Sequence, residues 1–174
     1  MSITIEQAVE ATPEAYDLIG ELNDVLGAVY EAHQRHGLSI EQLFAPNVRF
    51  FVARQDSLAV GCGAVAIFDE YAEVKRMYTR PATRGRGVAK ALLCRIEEEA
   101  RGAGKSVLRL ETGTYQQEAI GLYERMRLLG STGTSRTDYG DGCGRSSPKH
   151  GYATFWGLIS PVAAARRDGF GARV

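Results

Sequence analysis

Residues 84–89, Arg-Gly-Arg-Gly-Val-Ala, place two cations and two glycines directly ahead of an apolar run, and that order has a chemical use. Glycine admits backbone angles and close approaches that a side chain blocks. A helix start offers amides without intrahelical partners and the positive end of the aligned peptide dipoles. Several amides converging on one point, with arginine as countercharge, make a site for a diphosphate. Two other phosphate-binding patterns fit poorly. The dinucleotide fingerprint Gly-x-Gly-x-x-Gly follows a first parallel strand, whereas here Lys90 fills the third glycine's place and the strands ahead read as a meander. The P-loop requires Gly-Lys-Ser/Thr, which is absent.

Other reactive residues are sparse. Cys62, Cys94 and Cys143 are odd in number and lack metal-ligand spacing, which points to a reducing compartment and to no metal site. Cys94 projects off the apolar face of its helix without a basic partner, the setting of an inert thiol, and Cys62 sits in an apolar strand as packing. His33, Arg35 and His36 follow the first helix and either line an acceptor pocket or form a solvated helix end.

These residues need a frame to position them. "SITIEQAV" alternates apolar and polar residues as a half-buried strand does. Thr12 and Pro13 open a helix whose apolar positions run from Ala15 to Val29, and Ser39 with Gln42 forms a capping box for a short second helix ending near Pro46. Residues 48–80 read as three antiparallel strands with turns at 55–57 and 69–70. A helix over 85–103 buries Val88, Leu92, Leu93, Ile96 and Ala100. "KSVLRLETG" is then a strand, residues 115–128 a helix and "GYATFWGLI" a last strand. The segment 130–151 is rich in Gly, Ser, Thr and Arg, with a loop over 140–150. A strand after a crossover helix pairs in parallel, so the expectation is an α+β fold with a mixed, mainly antiparallel sheet flanked by helices.

The stretch "EVKRMYTRPATRGRGVAKALL", followed by "VLRLETGTYQQEAIGLYERM", resembles the GNAT superfamily of acetyl-CoA-dependent N-acetyltransferases over roughly residues 71–126. Residues 84–89 match its Arg/Gln-x-x-Gly-x-Gly/Ala signature. The resemblance implies a GNAT-like fold in which the fourth and fifth strands splay apart around the pantetheine arm of acetyl-CoA. It implies that Arg84, Gly85, Arg86, Gly87, Val88 and Ala89 cradle the pyrophosphate. By the same token, the backbone of Met77 and Tyr78 pairs with pantetheine, and Thr79 adjoins the channel. Glu73, eleven positions before Arg84, stands where some members carry a general base, and Tyr123 matches the tyrosine that protonates the departing thiolate. An alkyl ammonium of pKa ~10.4 is only about one part in a thousand neutral near pH 7, so a base has work to do. Glu111, Asp138, Tyr139 and Asp141 are further candidates for the acceptor side.

Two departures from the family pattern stand out. Gln116 occupies the position of an asparagine that contacts the coenzyme, and Arg127 with Leu128 replaces the Gly-Phe that ends the following helix. The reading is therefore one N-acetyltransferase domain over 1–160 with a loosely held tail over 161–174. The expected reaction is acetyl transfer to a primary amine by direct attack. A small molecule is the leading acceptor, with protein N-termini or lysines, or a non-catalytic acyl-CoA sensor, as alternatives. Equal totals of 21 acidic and 21 basic residues leave no field for nucleic acid. No apolar run approaches the ~18 residues of a membrane span, so the chain is expected in the cytoplasm. A homodimer contact through the first helix is left open.

Overall fold

The computed structural model describes residues 2–31, 37–113, 116–125 and 152–158. Within them six strands form one sheet in chain order: β1 (Ile3–Ala8), β2 (Val48–Gln55), β3 (Leu58–Ile67), β4 (Ala72–Thr79), β5 (Val107–Gly113) and β6 (Tyr152–Leu158). The first four pair antiparallel, three of them as the meander expected over residues 48–80, and β5 with β6 does the same. Only β4 and β5 run parallel, and they pair at just three positions, Ala72 with Leu108, Glu73 with Arg109 and Val74 with Leu110. Beyond Val74 the two strands no longer pair, so the sheet is split where the sequence led us to expect it.

Helix α1 (Pro13–Gly27) covers one face and α2 (Val88–Gly102) the other. Thr12 caps α1 by accepting the Ala15 amide at 3.3 Å, and Pro13 supplies a first-turn φ without needing a donor. The helix ends earlier than its apolar spacing suggests. The Tyr30 amide turns back to Leu26, Val29 is left exposed, and Tyr30 is buried in its place. Ser39 and Gln42 do form the reciprocal box, at 2.8 and 3.3 Å, but it opens a single 3-10 turn (Glu41–Phe44) rather than an α-helix.

The core lies in two layers. Phe51, Val65, Val74, Leu108 and Leu110 meet Val88, Leu92, Leu93 and Ile96 of α2. Phe50, Val52, Cys62 and Ala64 meet Leu18, Ile19 and Leu22 of α1. Each fully buried leucine or isoleucine stabilises the fold by about 1.5–3 kcal/mol, so α2 is fixed by its apolar stripe and not by its glycine-bounded ends. Helix α3 (Gln117–Arg125) adds Tyr123 to the α2 layer. Residues 126–151 and the tail beyond 158, with the loop and tail readings made for them, lie outside the described residues.

Candidate active site

The shape of the turn ahead of α2 follows from local sequence. The helix expected from residue 85 begins at Val88, and residues 85–87 form a turn in which Gly85 and Gly87 have φ of 75° and 87°. L residues rarely adopt such angles, so glycine is required at both for backbone reasons. A Cβ at either position would meet nothing within 4 Å, so the turn faces open space. The first intrahelical bond runs from the Ala91 amide to Gly87, and no side chain caps the helix. The amides of Val88, Ala89 and Lys90 therefore lie at an open, positive helix end, which is the donor set a diphosphate fits.

The two arginines of the turn part company. Arg84 reaches across to α3 and binds Glu118 at 2.6 Å, while Arg86 makes no side-chain hydrogen bond or ion pair among the described residues. Among the described residues Arg86 is thus an unpaired cation beside the turn. Arg84 is a tie between the turn and α3.

The end of β4 that β5 leaves unpaired meets the start of α2, since a Cβ on Gly61 would touch the Tyr78 carbonyl oxygen, Thr79 and Val88 together. A bulge shapes it: Lys75 pairs with Ala64 and Tyr78 with Cys62, so Arg76 and Met77 together oppose Gly63. Arg76 has φ of 53°, a left-handed conformation that the rest of the strand does not share. The bulge reverses the alternation. Val74 and Met77 face the α2 layer, whereas Glu73, Lys75, Arg76 and Tyr78 face α1.

Glu73 is nearly buried, and its carboxylate accepts from Lys75 Nζ at 2.6 Å. It lies on the α1 face at the last stretch of β4–β5 pairing. Tyr123 lies in the α2 layer, so the two residues expected to exchange protons with the substrates approach the split from opposite faces. Burial pushes the Tyr123 hydroxyl up to about 12. Gln116 accepts a hydrogen bond from Thr112 Oγ1 at 2.9 Å, and its carbonyl accepts the Ile120 amide. The side chain and backbone of Gln116 thus tie the start of α3 to the end of β5. Thr79 lies on the α2 face beside Gly61 and Val88, and Glu111 is exposed at the C-terminal end of β5.

The geometry comprises a split parallel pair, a bulged strand edge and an amide-lined helix start at the mouth of the split. A family model described as the acetyltransferase (GNAT) family matches residues 15–127. The chain belongs to the GNAT family. An IAA acetyltransferase of Azospirillum brasilense is 45% identical to it over 126 residues, 71% of this chain and 82% of the relative. A PaiA N-acetyltransferase of Thermoplasma acidophilum, solved with coenzyme A, has the same fold at a TM-score of 0.69 and 17% identity, over 91% of this chain and 99% of that one. An acetyltransferase of Streptococcus agalactiae gives a TM-score of 0.66 at 22% identity, over 90% and 98% of the two chains. This GNAT protein is accordingly an acetyl-CoA-dependent N-acetyltransferase, and no helix among its described residues is long and apolar enough to cross a membrane.

Several site-forming residues of this GNAT domain escaped the sequence reading. Glu21 of α1 accepts Arg80 at 2.7 and 3.0 Å and the Tyr78 hydroxyl at 3.1 Å. Arg80 also reaches the Ala59 carbonyl at 2.8 Å, so one guanidinium joins α1, β3 and the end of β4. Arg80 holds the Glu21 carboxyl below the usual range, and burial with the Glu21 bond raises Tyr78. Arg76 donates to the Leu38 carbonyl at 2.7 Å and to Asn23 at 2.8 Å, and a Cβ on Gly37 would run into its guanidinium. The one available signal was Arg80-Pro81, an arginine at a strand end where proline stops the ladder. The thiols behave as expected, since burial pushes Cys62 up to about 12 and also raises Cys94. His33, Arg35, His36, Asp138, Tyr139 and Asp141 lie outside the described residues.

Proposed function

We propose that the acceptor is a small-molecule primary amine, that residues 85–90 and Arg86 hold the pyrophosphate of acetyl-CoA, and that Glu73 and Tyr123 serve the two proton-bearing ends of the reaction. The observation that carries this reading is the split of β4 from β5 directly beside the open N-terminus of α2. The 45% identical relative named as an IAA acetyltransferase supports a small acceptor. Bound acetyl-CoA supplies the activated acyl carbon. The amine nitrogen forms the new bond to that carbon as the C–S bond breaks, and it gives up its second proton to water to leave the neutral amide.

Met77 and Tyr78 offer backbone groups on the β4 edge that β5 leaves unpaired, and these hold the pantetheine arm. Glu73, on the α1 face, accepts the ammonium proton directly or through one water. Tyr123 acts from the other face. Its hydroxyl stays protonated throughout the working pH range, because burial pushes it up to about 12. Tyr123 therefore donates a hydrogen bond to the sulfur as charge develops there, and the thiolate takes its proton from solvent on leaving.

The test is coenzyme A release measured with small amines and with peptides bearing free N-termini. Faster release with small amines is expected, whereas release with peptides alone would overturn the small-molecule reading. Glu73→Gln should lower kcat by about 10²-fold while acetyl-CoA still binds. Undiminished turnover in that variant would remove Glu73 from the chemistry.

A further inference from the structure

The pairing of Glu73 with Lys75 points to a narrower class of acceptor. The two residues lie two apart on the α1 face of β4, with side chains 12% and 19% exposed and heads 2.6 Å apart. Their partners on β3 are Ala66 and Ala64, which bring no polar group to the pair, and the β5 neighbour of Glu73, Arg109, lays its guanidinium over the Tyr71 ring at 3.6 Å. Taking an ion pair this far from water gains little stability, and apolar residues of similar volume do as well. The pair also stands at the split itself, because β4–β5 pairing ends at Val74, between its two members.

A simple ammonium reaching Glu73 there meets the like charge of Lys75. An amine with a carboxylate on the same or the next carbon does not. Its ammonium faces Glu73 and its carboxylate faces Lys75, so the two dipoles lie antiparallel. Lysine has three donors and the Glu73 bond uses one of them, so a carboxylate can be accepted without breaking the pair. We propose that the acceptor is an amino acid or a close relative with its carboxylate next to the amine, anchored by Lys75 while Glu73 holds the nitrogen. The inference rests on the small-amine reading above. It adds the second functional group.

The test compares phenylalanine with 2-phenylethylamine, and methionine with 3-methylthiopropylamine, by coenzyme A release. The carboxylated member of each pair should have a kcat/KM at least about ten-fold higher, because a site built to pair a charged group rejects the analogue that lacks it. Lys75→Met should bring the ratio towards one and Lys75→Arg should preserve it, with acetyl-CoA binding by calorimetry reporting that each variant is folded. Equal rates for both members in the unaltered enzyme would overturn the proposal while leaving the small-amine reading intact. A ratio unchanged in Lys75→Met would overturn the role of Lys75. No release from any of the four amines, with acetyl-CoA bound, would count against both readings together. If Lys75→Met fails to bind acetyl-CoA, the ratios of the unaltered enzyme and of Lys75→Arg still decide.

Discussion

Tyr123 carries its hydroxyl into the α2 layer of the core, where burial raises it to about 12, and this changes what the residue can do. It is a donor that keeps its proton. Tyr123→Phe should therefore lower kcat by about 10²-fold, the usual loss when one donor to a developing charge is removed, with the KM for acetyl-CoA nearly unchanged. Steady-state kinetics decide it: equal kcat in the two proteins would make Tyr123 a packing residue only. At this scale the glycine turn was legible in the sequence, because positive φ at Gly85 and Gly87 and an uncapped helix start are local properties. Side-chain partners were not. Arg84 finds Glu118 thirty-four residues away, and Arg80 finds Glu21 fifty-nine residues away, pairings that no motif of consecutive residues encodes.

Strand β4 is the element on which the site depends, and two glycines of β3 set how close its neighbour comes. A Cβ at Gly61 would stand 2.7 Å from the Tyr78 carbonyl oxygen, which is backbone and cannot turn aside. At Gly63 the nearest atom, at 2.5 Å, is the Met77 sulfur, the far part of a flexible side chain. Gly61→Ala should thus destabilise the fold by about 1–3 kcal/mol and raise the KM for acetyl-CoA, because it pushes out the edge that carries Tyr78. Gly63→Ala should cost less. Urea unfolding of both variants checks the order, and a larger loss for Gly63→Ala would contradict it. The meander itself was plain from its apolar runs and turn residues, but its bulge was not. Residues 72–79, Ala-Glu-Val-Lys-Arg-Met-Tyr-Thr, keep enough apolar positions on either reading, and only pairing with β3 shows that Arg76 adds the extra residue. The first helix shows the converse. Its apolar spacing continues to Val29, yet the chain turns back at Leu26 because Tyr30 buries more surface than Val29 does.

For the molecule as a whole, the sequence carried the order of elements and both core stripes, since period and burial agree along α2 and the apolar runs of β2 and β3 are buried. It did not carry how the ionisable groups are enclosed, which depends on packing between distant segments. That enclosure has a pH signature. Cys62 rises from 9.0, and Tyr123 from 10.0, to about 12, so both stay protonated in the folded state where the unfolded chain has ionised them. Their contribution is complete below pH 9 and is lost as the pH climbs towards 12, at up to about 1.4 kcal/mol per pH unit for each group. Urea midpoints at rising pH should fall from pH 9 onward, and the fall should be shallower in Cys62→Ala, where Cys94 and then Tyr123 still contribute. Identical slopes in the two proteins would show that Cys62 takes no part. The three-residue seam between β4 and β5 has a kinetic consequence as well. It divides the sheet into an antiparallel block, β1 to β4, and a lighter pair, β5 with β6, and weakly joined units of this kind open separately. Amides of β5 should exchange with deuterated solvent sooner than those of β3, and the difference should shrink when acetyl-CoA is present. The cosubstrate then serves as a suture, making one cooperative body of two.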